Sequence, residues 1–317
     1  MPLEACHARG NVGSGFQGDG DLTNGKNDET METLVENLRL NLLGGFEVHI
    51  AGELTPLAKK ARALLAYLAL ADARPQSRTK TASLLWADSS ESQSRASLRQ
   101  ALMQIRRALG ARADDVLRTD SESIHLIRDR MRVDVIDFES LATTEDPTSV
   151  RGAMERYRGD FLDGFHIDSP PFEHWLVGER ERLRALAIQC LMRLIDTFQQ
   201  ARENDRAIVA TNRLLSLDPL REDVHRTLMS LYRSQGRTSL ALKQYRRCRD
   251  ALQHELGIST EPQTDALFRD ILRGRRTASD SPRQRRASDL SHFVHTLRAG
   301  FPLERRKANS DSVPTAA

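Results

Sequence analysis

Residues Ser92–Leu109 read SQSRASLRQALMQIRRAL, with four arginines, three glutamines and no carboxylate. An ordinary surface helix mixes both charge signs, so this composition is unusual for a face that only meets water. At about 100° per residue, Arg95, Arg99 and Arg106 fall within about 40° of one another. An apolar stripe lies on one side of this row and consists of Leu98, Ala101, Leu102, Ile105 and Leu109. The segment therefore predicts an amphipathic helix with one basic face.

The exposed side chains of this helix have the chemistry that reads DNA. Arginine binds phosphates and the edge of guanine, and glutamine binds the edge of adenine. We therefore interpret Ser92–Leu109 as a DNA recognition helix. The alternative is a basic helix that is only solvated, which is the usual state of a charged face.

The segments around this helix match a winged helix-turn-helix domain. Thr79–Trp86 predicts a short helix, and the loop Ala87–Glu91 supplies Ser and Asp residues that can cap the next helix. Val116–Arg118 and Ile124–Ile127 predict two short strands around a polar turn. In a domain with this order of elements, the second helix enters the major groove and the hairpin contacts the adjacent backbone or minor groove.

Further elements are predicted on both sides of this motif. Leu38–Leu43 and Phe46–Ile50 predict two strands joined by a Gly-Gly turn. Lys59–Leu70 is apolar on most faces and predicts a helix sandwiched between the strands and the DNA-reading helices. Val133–Leu141 has an extended start and leads out of the domain, and Thr143–Thr148 (TTEDPT) predicts an interdomain linker.

From residue 149 onward the sequence predicts helices with a repeat of 34 residues. Ala207 and Ala241 are separated by this distance, as are Phe198 and Tyr232, and 34 residues is the tetratricopeptide period. The predicted helices span residues 149–158, 172–201, 205–216, 220–234, 238–255 and 262–273. The expected fold class is mainly α with a small β component: a winged helix-turn-helix domain followed by an α-helical tetratricopeptide-like repeat domain.

Composition and charge agree with a protein of two domains with tails. The chain has 317 residues, of which 29% are charged, and a net charge of only +3. The region from Arg78 to Arg132 nevertheless holds eleven basic and seven acidic residues, which predicts a locally basic surface. The three cysteines lie far apart, no apolar run has membrane-spanning length, and the N-terminus carries no signal segment. The expected compartment is the cytoplasm.

Four regions are expected along the chain. Residues 1–36 are rich in Gly, Asn and Asp and predict a disordered segment, within which Met31 is a second candidate start. Residues 37–141 form the predicted DNA-binding domain and residues 147–273 the predicted repeat domain. Residues 274–317 predict a basic, disordered tail.

The sequence offers no constellation for an enzyme. The N-terminal segment contains one G-x-G-x-x-G match, but no strand precedes it and no amphipathic helix follows it. Motifs for phosphate cradling, zinc proteolysis and a nucleophile elbow are absent from the sequence. The nine histidines are scattered, and the closest pair, His292 and His295, lacks further ligands. We therefore expect no catalytic residue, no cofactor and no metal.

The chain also resembles a known architecture. Residues 38–138 resemble the OmpR-type DNA-binding domain in the version found in Streptomyces antibiotic regulatory proteins, through LNLLGGFEVHI, KKARALLAYLALA and LLWADSSESQSRASLRQALMQIRRALG. Residues 149–272 resemble the bacterial transcriptional activator domain, through YRGDFLDGF and LDPLREDVHRTLMSLYRSQGRTSLALKQYRRCRDALQHELGISTEP. The receiver domain of two-component regulators has no counterpart in this sequence, so no phosphorylatable aspartate is assigned.

This resemblance implies a sequence-specific transcriptional activator that binds direct repeats in double-stranded DNA as paired protomers and recruits RNA polymerase. The residues implied to lie nearest the bases are Gln93, Arg95, Ala96, Arg99 and Gln100. The residues expected to neutralise phosphates are Lys80, Arg106, Arg107 and Arg118, and both Arg118 and Arg128 are placed on or near the wing. The loop that contacts the polymerase would consist of Ala87, Asp88, Ser89, Ser90 and Glu91.

Two alternatives remain at this point. In the first, the repeat domain is a protein-interaction scaffold and DNA binding is secondary, so that partner binding survives deletion of residues 38–138. In the second, a small effector binds in the groove of the repeats and controls the activator, although the sequence offers no pocket chemistry for it.

Overall fold

The structure, a computed structural model, describes residues 38–71 and 74–279. The N-terminal segment predicted to be disordered, with its glycine motif, lies outside the described residues, as does the basic tail from residue 280. Residues up to Asp218 belong to one compact unit and those from Pro219 to a second. Within the described residues, no helix is both long enough and apolar enough to cross a membrane.

The first unit contains all the strands and the second contains helices alone among its described residues. The strands are β1 (Leu38–Asn41), β2 (Glu47–Ile50), β3 (Glu53–Leu54), β4 (Gln76–Ser77), β5 (Leu117–Thr119), β6 (Ser123–Leu126) and β7 (Arg132–Val133). The helices of the first unit are α1 (Lys59–Leu70), α2 (Arg78–Leu85), α3 (Glu91–Leu109), α4 (Ala113–Val116), α5 (Asp134–Ala142), α6 (Pro147–Arg156), α7 (Pro170–Gln200) and α8 (Asn204–Leu217). Those of the second unit are α9 (Glu222–Ser234), α10 (Thr238–Leu256) and α11 (Pro262–Ser279).

The predicted N-terminal hairpin is present and belongs to a four-stranded sheet of order β3-β2-β1-β7. β1 and β2 pair antiparallel, with Leu38 opposite Ile50, whereas β1 and β7 are parallel. Gly44 in the hairpin turn has φ +96°, which an L side chain rarely adopts. A Cβ on Gly44 would also lie 3.3 Å from the Cβ of Arg158, so the turn needs glycine for its conformation and its close packing.

The helix α1 begins and ends at the residues that the sequence predicts. Alanine and leucine dominate it, and both have high helix propensity. Its buried residues cover more than one face, as expected of a helix packed on several sides: Ala61, Ala63, Leu64, Leu65, Ala66, Leu68 and Ala69. It packs against α2 and α3 and so supports the recognition helix from behind.

The helix-turn-helix and the wing are also as predicted. α2 and α3 pack against each other, and β5 and β6 form an antiparallel hairpin that β4 extends to three strands. Asp120 closes the hairpin turn: its carboxylate accepts hydrogen bonds from the backbone N–H of Glu122 (2.7 Å) and of Ser123 (2.6 Å). These bonds, together with one from the Ser123 hydroxyl, lower the pKa of Asp120.

The segment Thr143–Thr148 is not the interdomain linker that the sequence suggests. α5 and α6 pack against each other as a helical hairpin, residues 143–146 form the turn between them, and Pro147 begins α6. Asp146 caps α6 by accepting a hydrogen bond from the backbone N–H of Ser149 (2.8 Å), while Arg193 donates to the carbonyl oxygens of Ala142 and Thr144. The prediction was wrong because the same polar residues occur in flexible linkers and in capped turns.

The helices predicted beyond residue 149 are all present. Their ends differ from the prediction by two residues or fewer, except that α11 continues to Ser279. α7 pairs with α8, and α10 pairs with α9. Ala207 and Ala241, separated by one repeat, are both fully buried and allow close helix packing. Cys190 and Cys248 are buried free thiols that pack as small apolar side chains.

Candidate nucleic-acid interface

The recognition helix α3 is defined by signals at both ends. Ser90 is its N-cap, and the hydroxyl accepts a hydrogen bond from the backbone N–H of Gln93 (3.4 Å). Glu91, one residue before the predicted start, carries a negative charge in the first turn, where the helix dipole favours it. Gly110 follows the last residue with φ +58°. The predicted apolar stripe is buried in full, namely Leu98, Ala101, Leu102, Ile105 and Leu109.

The opposite side of α3 is exposed, and it presents the five residues that the resemblance places nearest the bases. We call this set the exposed face of α3: Gln93, Arg95, Ala96, Arg99 and Gln100. Arg95 forms an ion pair with Glu91 (2.5 Å), but both side chains are more than half exposed and such pairs are weak. Among the described residues, the side chains of Arg99 and Gln100 have no hydrogen-bond partner. These groups can therefore bind a ligand without breaking a contact within the protein.

Arg106 and Arg107 are adjacent in sequence but lie in different environments. Arg107 is exposed, whereas the half-buried Arg106 binds the carboxylate of Asp114 (2.6 Å), the carbonyl oxygen of Leu117 (3.0 Å) and the hydroxyl of Thr119 (3.1 Å). Arg106 thus ties α3 to the start of the wing. This arrangement favours a structural role for Arg106, and the phosphate contact stays a prediction.

A groove runs between the N-terminus of α2, the exposed face of α3 and the turn of the wing. Its walls include Arg78, Thr79, Arg95, Arg99 and residues 120–122. The guanidinium of Arg78 donates a hydrogen bond to the carbonyl oxygen of Asp120 (3.3 Å), which joins α2 to the wing. Lys80, the residue after Thr79, is exposed.

Sequence analysis missed Arg78 and Thr79 as members of this surface. A signal was present, because Ser77 precedes them and caps α2 by accepting a hydrogen bond from the backbone N–H of Lys80 (3.4 Å). An N-cap at Ser77 starts the helix at Arg78, one residue earlier than predicted, and orients both side chains beside α3.

The wing separates the two arginines that were assigned to it. Arg118 is exposed on β5, where its Cα pairs with that of His125 on β6. Arg128 lies after β6 in a single 3-10 turn and is half-buried, and its Nη2 is buried without a partner among the described residues. Only Arg118 has the exposure that a direct phosphate contact requires.

The loop from Ala87 to Glu91 is exposed at most positions, and hydrogen bonds hold the end of α2 that precedes it. The ammonium of Lys60 donates hydrogen bonds to the carbonyl oxygens of Leu85 (2.5 Å) and Asp168 (3.0 Å). The hydroxyl of Ser169 donates to the carbonyl oxygen of Leu84 (2.7 Å). Burial lowers the pKa of Lys60, although nearby carboxylates oppose this effect. The end of α2 is therefore tied to the residues that precede α7.

Further hydrogen bonds join these segments of the first unit. We call the set of Lys60, Asp134, Asp168, Ser169 and Arg180, together with the groups that they bind, the α7 junction. The Asp134 carboxylate accepts hydrogen bonds from the backbone N–H groups of Leu42 (2.8 Å) and Leu43 (2.9 Å). Burial raises the pKa of Asp134 to about 6, against the effect of these bonds. The Arg180 guanidinium donates to three carbonyl oxygens, those of Phe161 (2.8 Å), Leu162 (2.5 Å) and Phe165 (3.2 Å).

The described residues contain no group of three or more His, Cys, Asp or Glu side chains that could hold a metal ion. The carboxyl group of Asp134 accepts hydrogen bonds from backbone amides in the α7 junction. Burial in the fold accounts for its raised pKa, so this shift does not by itself indicate a catalytic site.

Comparison with known proteins identifies part of the chain and its general role. Residues 137–272 match the family model of the bacterial transcriptional activator domain. Over 258 residues the chain is 25% identical to the transcriptional regulatory protein MoaR1 of Mycobacterium bovis, which covers 74% of this chain and 79% of that protein. Over 246 residues it is 28% identical to the regulatory protein AfsR of Streptomyces griseus, covering 74% of this chain but only 24% of that larger protein.

A solved structure has the same fold. The structure of Mycobacterium tuberculosis EmbR in complex with a low affinity phosphopeptide superposes with a TM-score of 0.56 and 23% sequence identity, covering 82% of this chain and 70% of that one. A winged helix-turn-helix followed by tetratricopeptide-like helices is thus confirmed. MoaR1 is a transcriptional regulatory protein and AfsR a regulatory protein, which together with the activator-domain match favours a transcriptional regulator over an interaction scaffold and gives no support to an enzyme.

Proposed function

We propose that this chain, a transcriptional regulator similar to the Streptomyces antibiotic regulatory proteins and with a bacterial transcriptional activator domain, binds operator DNA through α3. The helix enters the major groove of double-stranded DNA, and the hairpin β5–β6 lies along the adjacent backbone. In this proposal the DNA-binding domain spans residues 37–141 and the activator domain residues 147–273, although the match to the activator-domain family begins earlier, at residue 137.

The exposed face of α3 is the observation that carries this proposal. Arg99 and Gln100 are held on a helix whose other side is fully buried, and they have no partner to give up among the described residues. Ordering these side chains on a rigid helix lowers the cost of binding. Their donors and acceptors match guanine and adenine edges in the major groove.

Different residues supply affinity and specificity in this proposal. Gln93, Arg95, Ala96, Arg99 and Gln100 lie against the bases and select the sequence. Contacts to phosphates come from the exposed cations Lys80, Arg107 and Arg118. Arg106 and Arg128 are half-buried and add positive charge beside the backbone, and a phosphate contact by Arg106 remains part of the proposal. Arg78, which lines the same groove, adds a further positive charge beside the DNA backbone.

The chain activates transcription when Ala87–Glu91 contacts RNA polymerase. Two facts support this part of the proposal. The loop is largely exposed, and Lys60 and Ser169 form hydrogen bonds with the end of α2 that precedes it. A fixed loop can present the same surface to a partner whenever the DNA-binding domain is bound. Paired protomers bind direct repeats and associate through the activator domain, as the resemblance implies.

Selection of bound genomic fragments, followed by affinity titrations at several salt concentrations, tests this proposal. The wild type is compared with Arg95→Ala/Arg99→Ala and with the control Arg246→Ala/Arg247→Ala, which removes the same charge from exposed positions of α10. We expect a repeated motif that the wild type and the control enrich and the α3 variant does not. Equal, purely salt-dependent binding by all three proteins would refute sequence reading by α3.

A further inference from the structure

Met103 is an exposed apolar side chain in the middle of the recognition helix. It is 67% exposed, whereas the other large apolar residues of α3 are buried to 5% exposure or less. The core therefore depends little on Met103. A single exposed apolar side chain is common on protein surfaces, but Met103 lies on the side of α3 that displays Arg and Gln, where a bound DNA would present both polar and apolar base groups.

The position of Met103 on α3 places it among the residues proposed to read the bases. At about 100° per residue it lies about 20° from Ala96 around the helix axis and about 10 Å farther along it. Arg99 and Gln100 lie on either side of this line.

Thymine offers the apolar surface that this position requires. In the major groove, the C5-methyl group of thymine distinguishes A·T from the other base pairs by an apolar contact. The methionine side chain is unbranched and polarizable, so it can adapt to a methyl group whose exact place depends on the docking angle.

We infer that Met103 contacts the C5-methyl group of a thymine in the operator and selects thymine at that base pair. This inference rests on the proposed DNA binding by α3 and adds apolar recognition to the polar contacts of Arg99 and Gln100. Met103 is a specificity-determining residue at the far end of the contact surface, about one turn beyond Gln100.

Replacement of single thymines by deoxyuridine tests this contact, because it removes one methyl group and leaves all hydrogen-bonding groups in place. The probe is the selected operator, with each thymine replaced in turn. The wild type should lose about fourfold in affinity at one thymine, the effect expected from one buried methyl group. Met103→Ala should bind the unmodified operator about as weakly as the wild type binds the deoxyuridine operator, and should show no further loss on it.

Two other variants serve as controls. Gln104→Ala changes an exposed polar neighbour and should keep the wild-type response to deoxyuridine. Met103→Leu retains an apolar side chain and should keep most of that response. Since Met103 is exposed, all three variants should unfold at the wild-type denaturant concentration.

The outcomes separate this inference from the proposal on which it rests. If no operator is selected at all, DNA reading by α3 fails. If an operator is selected but wild type and Met103→Ala respond equally to deoxyuridine at every thymine, the methyl contact is refuted. A Met103→Ala protein that loses cooperativity between adjacent sites, with an unchanged response to deoxyuridine, would likewise refute it and would place Met103 at a contact between protein copies.

Discussion

The exposed face of α3 and the α7 junction both depend on arginine, yet they use it in opposite ways. On α3, Arg99 projects into solvent without a partner among the described residues. At the junction, Arg180 donates to three backbone carbonyl oxygens within the same unit. An arginine that is already satisfied stabilises the fold, and one that is not remains available for a ligand. Removing each type should therefore affect different measurements.

The largest effect is expected from Arg180→Ala. The substitution removes the Arg180 hydrogen bonds from the carbonyl oxygens of Phe161, Leu162 and Phe165, which should lower the free energy of unfolding by about 3 kcal/mol. The carbonyl oxygen of Leu162 keeps one donor, the backbone N–H of Phe165 (3.0 Å). Urea unfolding measures this free energy. Arg107→Ala, which removes an exposed arginine from α3, is the matched control and should stay within about 0.5 kcal/mol of the wild type. Equal losses in the free energy of unfolding for both variants would contradict the proposed difference between Arg180 and the exposed arginines of α3.

The second prediction concerns the pH dependence of the junction. Burial raises the pKa of Asp134 to about 6 in the folded chain, above its value in the unfolded chain. The folded state therefore binds the proton more tightly, and this contribution to stability is present below about pH 4 and is lost as pH rises through 6. The loss should be roughly 2–3 kcal/mol.

Urea unfolding of the wild type and Asp134→Asn between pH 4 and pH 7 isolates the contribution of Asp134, since other carboxyl groups titrate in both proteins. The free energy of unfolding of the wild type, relative to that of Asp134→Asn, should be higher at pH 4 than at pH 7. A constant difference would show that the hydrogen bonds from Leu42 and Leu43 hold the carboxylate in its charged form.

Arg99→Ala should act on binding and leave stability unchanged. Because Arg99 has no partner among the residues that the structure describes, its loss should weaken operator binding by roughly 1–3 kcal/mol and relax the choice of base at one position. Urea unfolding should change by less than about 0.5 kcal/mol. Binding of Arg99→Ala is measured on the operator and on operators with each base pair replaced. A variant that loses the same affinity on random DNA would have lost a phosphate contact instead.

The smallest effect is expected from Arg118→Ala on the wing. Removing one phosphate contact should weaken binding to operator and random DNA alike and lower the slope of log affinity against log salt by about one. Arg151→Ala, an exposed arginine on α6, is the control and should leave the slope unchanged. A loss confined to the operator would move Arg118 from the phosphates to the bases.

Local signals in the sequence were sufficient for most of the elements. The helix α1 begins and ends as predicted, and the apolar stripe of α3 is buried residue for residue. The N-terminal hairpin and the wing follow from short apolar segments around glycine and polar turns. These features depend on helical periodicity and turn chemistry, and both operate within a few residues of the chain.

The hydrogen-bond and ion-pair partners of individual charged side chains cannot be predicted from such local signals. Arg106 and Arg107 are neighbours in sequence, but only the fold directs Arg106 to Asp114 and Thr119 and leaves Arg107 exposed. The polar composition of Thr143–Thr148 predicts a linker. The packing of α5 on α6 and the hydrogen bonds of Arg193 cannot be predicted from the sequence of this segment alone.

The sequence by itself determined which residues share a face, because periodicity fixes the direction of each side chain relative to its helix or strand. It thereby determined that α3 has one apolar side and one side rich in Arg and Gln. Only the tertiary structure decided which charged groups are satisfied. The Asp134 carboxylate meets the amide of Leu42 across 92 residues, and Lys60 meets Asp168 across 108. Such pairings depend on how distant segments pack together, and no local pattern encodes them.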